Sequence, residues 1–161
     1  MENIHFYNIE TGKHEFCGMK DWVLMHAQSL AAVMITALKI MKAPIAFSMY
    51  GADGDGYIVC DDASYADPFV MAHEEGHLRL GHYKPGANVH IDENGILMDE
   101  AAEQAADRYA IEKTKNPQQA LESLHRMMEN IDEHVFETKD EYVNARMGLV
   151  NRMLAISNLK I

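Results

Sequence analysis

The residues best able to do chemistry lie in positions 67–82, which read DPFVMAHEEGHLRLGH. This segment contains His73, Glu74 and His77 in a His-Glu-x-x-His pattern. On a helix each residue turns about 100°, so the two histidines end up about 40° apart on one face. Two imidazoles one turn apart can reach the same metal ion. Glu74 would then lie near a water on that metal and could take its proton.

The flanks of this motif indicate that it lies on a helix. Asp67 is a good N-cap, and Pro68 suits the first helical position. Gly81 is a natural stop. We therefore predict a helix from Pro68 to Leu80, and its largely apolar composition indicates burial on most sides. The same five-residue pattern also arises by chance in buried helices, so the metal hypothesis needs a third ligand.

A catalytic zinc ion commonly takes three protein ligands and leaves one position for water. Four residues could supply the third ligand, namely His82, His90, Glu100 and Glu103. His82 lies beyond the Gly81 stop, and on a continued helix it would point about 180° away from His73. Glu103 is favoured because a carboxylate from a second helix can complete a His-His-Glu zinc site. Glu100 shares the face of Glu103 and could replace it.

Asp107 follows Glu103 by one helical turn, about 40° around the axis. A carboxylate there can accept the remaining ring N–H of a ligand histidine, which fixes the ring and raises its basicity. Small residues on this segment would let two helices approach closely, and they are Ala101, Ala102, Ala105 and Ala106. The alternative is that these acids form a solvated face of an Ala-rich helix. The upstream histidine motif favours the ligand roles.

The bulk composition is that of one ordinary globular domain spanning residues 1–161. The chain is 48% hydrophobic and 24% charged, with a net charge of −11 and no basic patch, which argues against nucleic-acid binding. We find neither a signal-peptide pattern nor the roughly 20 apolar residues that a membrane helix needs. Only two cysteines are present, Cys17 and Cys60, and free thiols are the simplest interpretation. A cytoplasmic location is therefore expected, and the oligomeric state stays open.

Periodicity and turn signals predict an α+β fold that is mostly helical, with a small β-sheet or hairpin beside the motif helix. Ahead of the motif helix, we predict a strand around Ile4–Ile9, a helix Asp21–Lys42, strands Ile45–Tyr50 and Tyr57–Cys60 forming a hairpin, and a link Asp61–Ala66. After it, we predict a helix Ile96–Lys115, a helix starting at Asn116-Pro117, and a last helix opened by a capping box of Thr138 and Glu141.

The motif HEEGHLRLGH, followed by Glu-x-x-x-Asp, resembles that of the gluzincins, which are zinc peptidases with two His ligands and one Glu ligand. Two gluzincin groups are similar, the ImmA/IrrE-type peptidases and the HtpX-like membrane peptidases. The HtpX-like proteins carry transmembrane helices that this sequence does not show, so a soluble ImmA/IrrE-like domain is the closer match. The resemblance covers roughly residues 20–115 and leaves the helices in 117–159 unassigned. Asp107 stands where ImmA/IrrE proteins typically have Asn.

This resemblance implies a minimal zincin fold with Zn²⁺ as cofactor. His73, His77 and Glu103 would be the metal ligands, Glu74 the general base and proton shuttle, and Asp107 the partner of a ligand histidine. The implied reaction is endoproteolytic hydrolysis of a protein or peptide substrate. Strand Tyr57–Cys60 could hold that substrate by β-addition.

The sequence alone leaves the oxyanion-stabilising residue and the exact function open. The residue that stabilises the oxyanion could be any of His82, Tyr83, His90 and Tyr109. Two other functions use the same residues. One is a non-catalytic binding or structural protein on a zincin scaffold. The other is a zinc hydrolase that acts on a small non-peptide amide.

Overall fold

The computed structural model describes residues 3–8, 10–11, 14–15, 46–51, 54–82, 100–131 and 133–159. The strands are β1 (Ile4–Asn8), β2 (His14–Glu15), β3 (Ala46–Tyr50) and β4 (Gly56–Cys60). The helices are α1 (Asp62–Tyr65), α2 (Pro68–Arg79), α3 (Glu100–Thr114), α4 (Pro117–Asn130) and α5 (Lys139–Ser157), with a 3₁₀ turn at Glu133–Val135. A run of strands followed by a run of helices is an α+β arrangement, as expected. The predicted helix Asp21–Lys42 lies outside the described residues.

The described strands form one mixed sheet in the order β2-β1-β4-β3. Strands β3 and β4 are the predicted antiparallel hairpin, with Ala46 opposite Cys60 and Tyr50 opposite Gly56. Strand β1 pairs in parallel with the other side of β4. The expectation that Tyr57–Cys60 holds an extended substrate is therefore wrong, because β4 is central and neighbouring strands already occupy both of its sides. Strand β3 forms an edge of the described sheet.

The predicted link Asp61–Ala66 contains a short helix, α1. The side chain of Asp61 caps it by accepting a hydrogen bond from the Ser64 amide at 2.8 Å. Four helical residues are too few to show a helical period, so the apolar pattern of the sequence did not predict this helix. Just before it, Cys60 is a buried free thiol, and burial together with the charge of Asp61 raises its pKa to about 12. Cys17 lies outside the described residues.

Helix α2 lies between the sheet and the other helices. On the helical side, its residues join a buried apolar cluster made of Phe69, Val70, Ala72, Ala110, Ile111, Ala120, Leu124 and Ile156. On the sheet side, Leu78 packs with Ile4 and Ile58. The hydroxyl of Tyr50 on β3 also donates to the Leu78 carbonyl at 2.7 Å. Helix α2 is thus held on two faces, as its apolar composition indicated.

The predicted helix boundaries are confirmed wherever the described residues reach them. Helix α2 ends at Arg79 with Leu80 as its C-cap, within one residue of the expected end. Helix α4 starts at Pro117 after the Asn116 cap, and α5 opens with the capping box of Thr138 and Glu141. The start of the predicted helix Ile96–Lys115 lies outside the described residues, which resume at residue 100. Across the described helices, none combines the length and apolarity needed to cross a membrane.

Candidate metal centre

The start of helix α2 is fixed by its capping residue. The carboxylate of Asp67 accepts hydrogen bonds from the amides of Phe69 and Val70, at 3.0 and 3.3 Å. Its second oxygen accepts from the hydroxyl of Ser123 on α4, at 2.6 Å. The N-cap satisfies helix amides that have no partner within the helix, and this fixes the start of α2. The hydrogen bond from Ser123 also joins this end of α2 to α4. The two motif histidines follow on the next turns.

His73 and His77 project from α2 as one convergent pair. Both side chains are buried, with 6% and 3% of their residue surface exposed. Their ring centroids lie 4.6 Å apart and their planes are perpendicular. The two Nε2 atoms approach to 3.0 Å. The spacing of four residues therefore places both rings on one face of the helix, as predicted. It also directs Nε2 of each ring at the same point.

Glu103 on α3 brings a carboxylate to the same point. Its Oε2 lies 3.1 Å from Nε2 of His73, and its Oε1 lies 3.3 Å from Nε2 of His77. A tetrahedral zinc ion bound at 2.0–2.1 Å would separate its ligand atoms by about 3.3 Å. The spacing of the three donors matches that shell, and the mixed nitrogen and oxygen set suits zinc. Among the described residues, these three form the group that could hold a metal ion.

Close packing of α3 on α2 positions Glu103. A Cβ atom added to Gly76 would lie 3.1 Å from Cδ1 of Tyr109 and 3.2 Å from the backbone of Ala106. The two helix backbones therefore approach at this point as closely as a glycine allows. Of the four alanines predicted to permit the approach, Ala102 and Ala106 are buried, whereas Ala105 is half-buried and Ala101 is exposed.

The outer nitrogens of the two histidines have different partners. Nδ1 of His73 lies 2.8 Å from Oδ1 of Asp107, so the ring donates to a carboxylate there. Nδ1 of His77 lies 3.0 Å from Nδ1 of His82. If Nε2 of His77 binds a metal ion, its Nδ1 carries the hydrogen and His82 accepts it. His82 is thus placed behind His77, away from the three converging donors, which corrects the idea that His82 is the third ligand.

The remaining sequence candidates lie elsewhere. Glu100 is exposed in the first turn of α3, where its side chain accepts a hydrogen bond from Gln104 at 3.2 Å. Tyr109 packs against Gly76 at the interface of α2 and α3. His90 and Tyr83 lie outside the described residues, so the oxyanion roles considered for them stay predictions.

Arg152 on α5 also reaches this centre, and the sequence analysis missed it. Its Nε and Nη2 donate to Oδ2 and Oδ1 of Asp107, at 2.8 and 2.7 Å. Its Nη1 lies 3.4 Å from Oε2 of Glu103. The sequence signal was only a basic residue next to apolar residues of the last helix, and that pattern does not identify a distant partner.

Glu74 lies beside the histidines in the same small cavity. This cavity has a volume of about 190 Å³ and is lined by Ala46, Phe69, Val70, His73, Glu74, Glu103, Met127 and Arg152. Burial raises the pKa of the Glu74 carboxyl, while the neighbouring histidines and a hydrogen bond with Ser48 on β3 act in the opposite direction. A carboxylate with a raised pKa is better suited to accept a proton than an exposed one.

The electrostatics of the centre favour a bound cation. Burial lowers the pKa of His73, but hydrogen bonds with Asp107 and Glu103 outweigh it and raise the pKa to about 9. Burial raises the pKa of Glu103, yet hydrogen bonds from His73 and His77 hold it well below its usual range. The partly buried carboxylate of Glu103 therefore keeps its charge because positive charge lies next to it, and a divalent ion can provide that charge in place of a proton.

Comparisons with protein-family models, with curated protein sequences and with solved structures gave no match to this chain. Function is therefore inferred from the chemistry of the site. Two imidazoles and a carboxylate converge at the spacing of a zinc shell, and a second carboxylate, Glu74, lines the same cavity. This set can bind a divalent metal ion and can accept a proton next to it.

Proposed function

We propose that this protein is a zinc-dependent endopeptidase on a minimal zincin scaffold, with His73, His77 and Glu103 as zinc ligands. The convergence of those three residues, together with Glu74 in the same cavity, carries the proposal. When bound, zinc would act as a Lewis acid that lowers the pKa of water, so that water can lose a proton and attack a carbonyl near neutral pH. Three protein ligands leave a coordination position for that chemistry.

Glu74 would act as the general base. Its carboxylate would take a proton from the attacking water and pass it to the amine of the leaving group. The hydrogen bond from Ser48 orients the carboxylate, and burial raises its pKa against the opposing effect of the two histidines. Asp107 and His82 would hold the ligand rings from behind, which fixes the nitrogens that face the metal.

An extended peptide would bind along β3. This strand is an edge of the described sheet, and its first residue, Ala46, lines the cavity beside Glu74. Ser48, two residues later on the same strand, contacts Glu74. A peptide paired with an edge strand takes main-chain hydrogen bonds and passes its scissile bond across the cavity. In this proposal Ala46–Tyr50 binds the substrate, in place of Tyr57–Cys60.

The central test compares Glu74→Gln with Glu75→Gln. Glu74→Gln removes the proton acceptor and leaves the metal ligands in place, so we expect zinc content to stay at the wild-type level. Cleavage should fall by roughly 10²–10⁴-fold. The measurements are metal analysis of the purified full chain and cleavage of a proteome-derived peptide library followed by mass spectrometry.

Glu75→Gln is the matched control, one residue further along the same motif. Glu75 forms ion pairs with Arg79 and with Lys113 and does not line the cavity, so this variant should cleave the library like wild type. Wild-type protein without stoichiometric zinc would contradict the proposal. So would a Glu74→Gln variant that cleaves as fast as Glu75→Gln.

Hydrolysis of a small non-peptide amide is the second candidate. The cavity volume of about 190 Å³ supports it, because this space is small compared with typical ligand pockets. Zinc and Glu74 would play the same parts. Wild-type protein that leaves the peptide library intact but hydrolyses small acyl amides, with Glu74→Gln inactive, would favour this candidate over the endopeptidase.

A further inference from the structure

Among the residues that the structure describes, Arg152 is a cation that contacts both acidic residues of the candidate metal centre on α3. Two of its nitrogens donate to the two carboxylate oxygens of Asp107, at 2.7 and 2.8 Å. A third lies 3.4 Å from Oε2 of Glu103. Only 13% of its side chain is exposed. A fork of this kind fixes a carboxylate in both direction and plane, which a single-point contact does not do.

The contact places a guanidinium directly against the buried carboxylate of Asp107. This carboxylate is buried, with 2% of its surface exposed, and its other partner is Nδ1 of His73. A histidine that binds zinc is neutral, so His73 alone would leave Asp107 as a buried anion without a cation. Arg152 supplies that cation and keeps Oδ1 available as an acceptor for the His73 ring. The chain of contacts therefore runs from α5 through Asp107 to a zinc ligand.

Arg152 also contacts Glu103, the proposed zinc ligand on α3. Its Nη1 faces the same Glu103 oxygen that faces His73. Asp107 and Glu103 lie one turn apart on α3, so one guanidinium spans both carboxylates. This arrangement fixes α5 relative to α3 at the depth of the donors. It also gives the C-terminal helix a role that the motif alone does not suggest.

We infer that Arg152 is a positioning residue of the zinc centre, which acts through Asp107 to hold the His73 ring in its metal-binding orientation. Helix α5 is thereby part of the metal site. The inference rests on the proposed zinc site, but not on the peptidase activity. It predicts a change in how the protein binds metal, measurable without any substrate.

The test measures zinc affinity of the full chain by competition with a chromophoric chelator. Arg152→Met keeps the apolar stem and removes the charge, and we expect zinc affinity to fall by about 10–100-fold. Arg152→Lys keeps a cation without the fork and should lose less. The visible absorption spectrum of the cobalt-substituted protein should change in both variants, because the ligand field depends on how the His73 ring is held.

Arg126→Met is the control, since Arg126 also pairs with a carboxylate, Asp67, but is 62% exposed on α4. It should bind zinc like wild type. In an Asp107→Asn background, Arg152→Met should cost much less affinity than in wild type, because the residue through which it acts is already changed. An equal loss in both backgrounds would overturn the inference.

Two further outcomes separate this inference from the proposed function. Folded Arg152→Met with the zinc affinity and cobalt spectrum of wild type contradicts the positioning role alone. If Arg152→Met does not fold, Arg152→Lys decides by the same two readouts. Wild-type protein that binds zinc but cleaves no peptide contradicts the peptidase alone and leaves the role of Arg152 intact.

Discussion

The two motif histidines differ in what holds them from behind. Nδ1 of His73 meets the charged carboxylate of Asp107, whereas Nδ1 of His77 meets the neutral ring of His82. Hydrogen bonds to a charged acceptor are shorter and stronger than those to a neutral one. The two separations, 2.8 and 3.0 Å, follow that order. His73 is therefore the more firmly oriented of the two proposed ligands.

This asymmetry predicts a measurable but limited role for His82. His82→Ala removes the acceptor behind His77 and leaves all three proposed donors in place. We expect zinc affinity to fall by about tenfold, the lower end of what such outer partners contribute, because the lost acceptor is neutral. Competition with a chromophoric chelator measures the change.

Leu80→Ala is the control for this variant. Leu80 lies two residues earlier and is 48% exposed, so its truncation should leave zinc affinity unchanged. Equal zinc affinity in His82→Ala and Leu80→Ala would mean that the His77–His82 contact does nothing for the metal. Loss of all zinc in His82→Ala would instead point to direct ligation by His82.

At the scale of elements, the site depends on the distance between α2 and α3. Gly76→Ala tests this distance, because the new Cβ would lie 3.2 Å from the Ala106 backbone and 3.1 Å from the Tyr109 ring. The ring can turn aside, but the backbone moves only if α3 moves with Glu103. Overpacking of this kind typically costs about 1–3 kcal/mol, more than alanine gains in helix propensity. We expect a net loss of about 1 kcal/mol by urea denaturation, together with weaker zinc binding.

Gly148→Ala is the matched control, a glycine within α5 where an added Cβ meets nothing within 4 Å. There the helix propensity of alanine should act alone and stabilise the fold by about 0.5–1 kcal/mol. The two substitutions are chemically identical, so opposite signs isolate the packing of α2 on α3. A Gly76→Ala variant as stable as Gly148→Ala would show that α3 shifts freely and that the close approach is not needed.

Features that depend on neighbouring residues, such as the starts of helices, could be predicted from the sequence. Features that depend on residues far apart in the chain could not. The caps at Asp67, Asn116 and Thr138 bond to amides two or three residues away, so they indicated where α2, α4 and α5 begin. The parallel pairing of Ile4–Asn8 with β4 crosses some 50 residues of chain and leaves no local pattern. Arg152 was missed for the same reason, since its partners lie on another helix.

The site residues divide along the same line. Their helical spacing put His73 with His77 and Glu103 with Asp107, because each pair is four residues apart. Which of Glu100, Glu103 and His82 faces the histidines depends on how α3 packs against α2. That packing is fixed by Gly76 and Ala106, whose closeness appears only in three dimensions.

At the scale of the whole molecule, a metal ion at this centre would link distant parts of the chain. The His73–Asp107 contact spans 34 residues, and the Asp107–Arg152 contact spans 45. An ion bound at that junction would join α2 to α3 directly and α5 through Asp107. The unfolded chain does not present this cluster, so zinc should bind the native state preferentially and stabilise it.

Zinc should therefore raise the melting temperature of the full chain in a concentration-dependent way. At a free zinc concentration of 100 times Kd, one site adds about 2.7 kcal/mol, which for a chain of this size is about 5–10 °C in Tm. Differential scanning fluorimetry after chelation and zinc titration measures the shift. Magnesium and calcium should give little shift, because two of the three donors are nitrogens and these ions prefer oxygen.

Two glutamates on α3 provide the decisive pair of variants. Glu103→Ala removes one of the three converging donors and should abolish most of the zinc-dependent shift. Glu100→Ala lies in the same first turn but is exposed and faces Gln104, so it should shift like wild type. If Glu103→Ala keeps the zinc-dependent shift of the wild type, Glu103 is not a ligand, and the proposed centre does not hold zinc. A response that survives in Glu100→Ala and disappears in Glu103→Ala shows that the ion needs the Glu103 carboxylate, which faces the histidines of α2, because these variants differ by one turn of one helix.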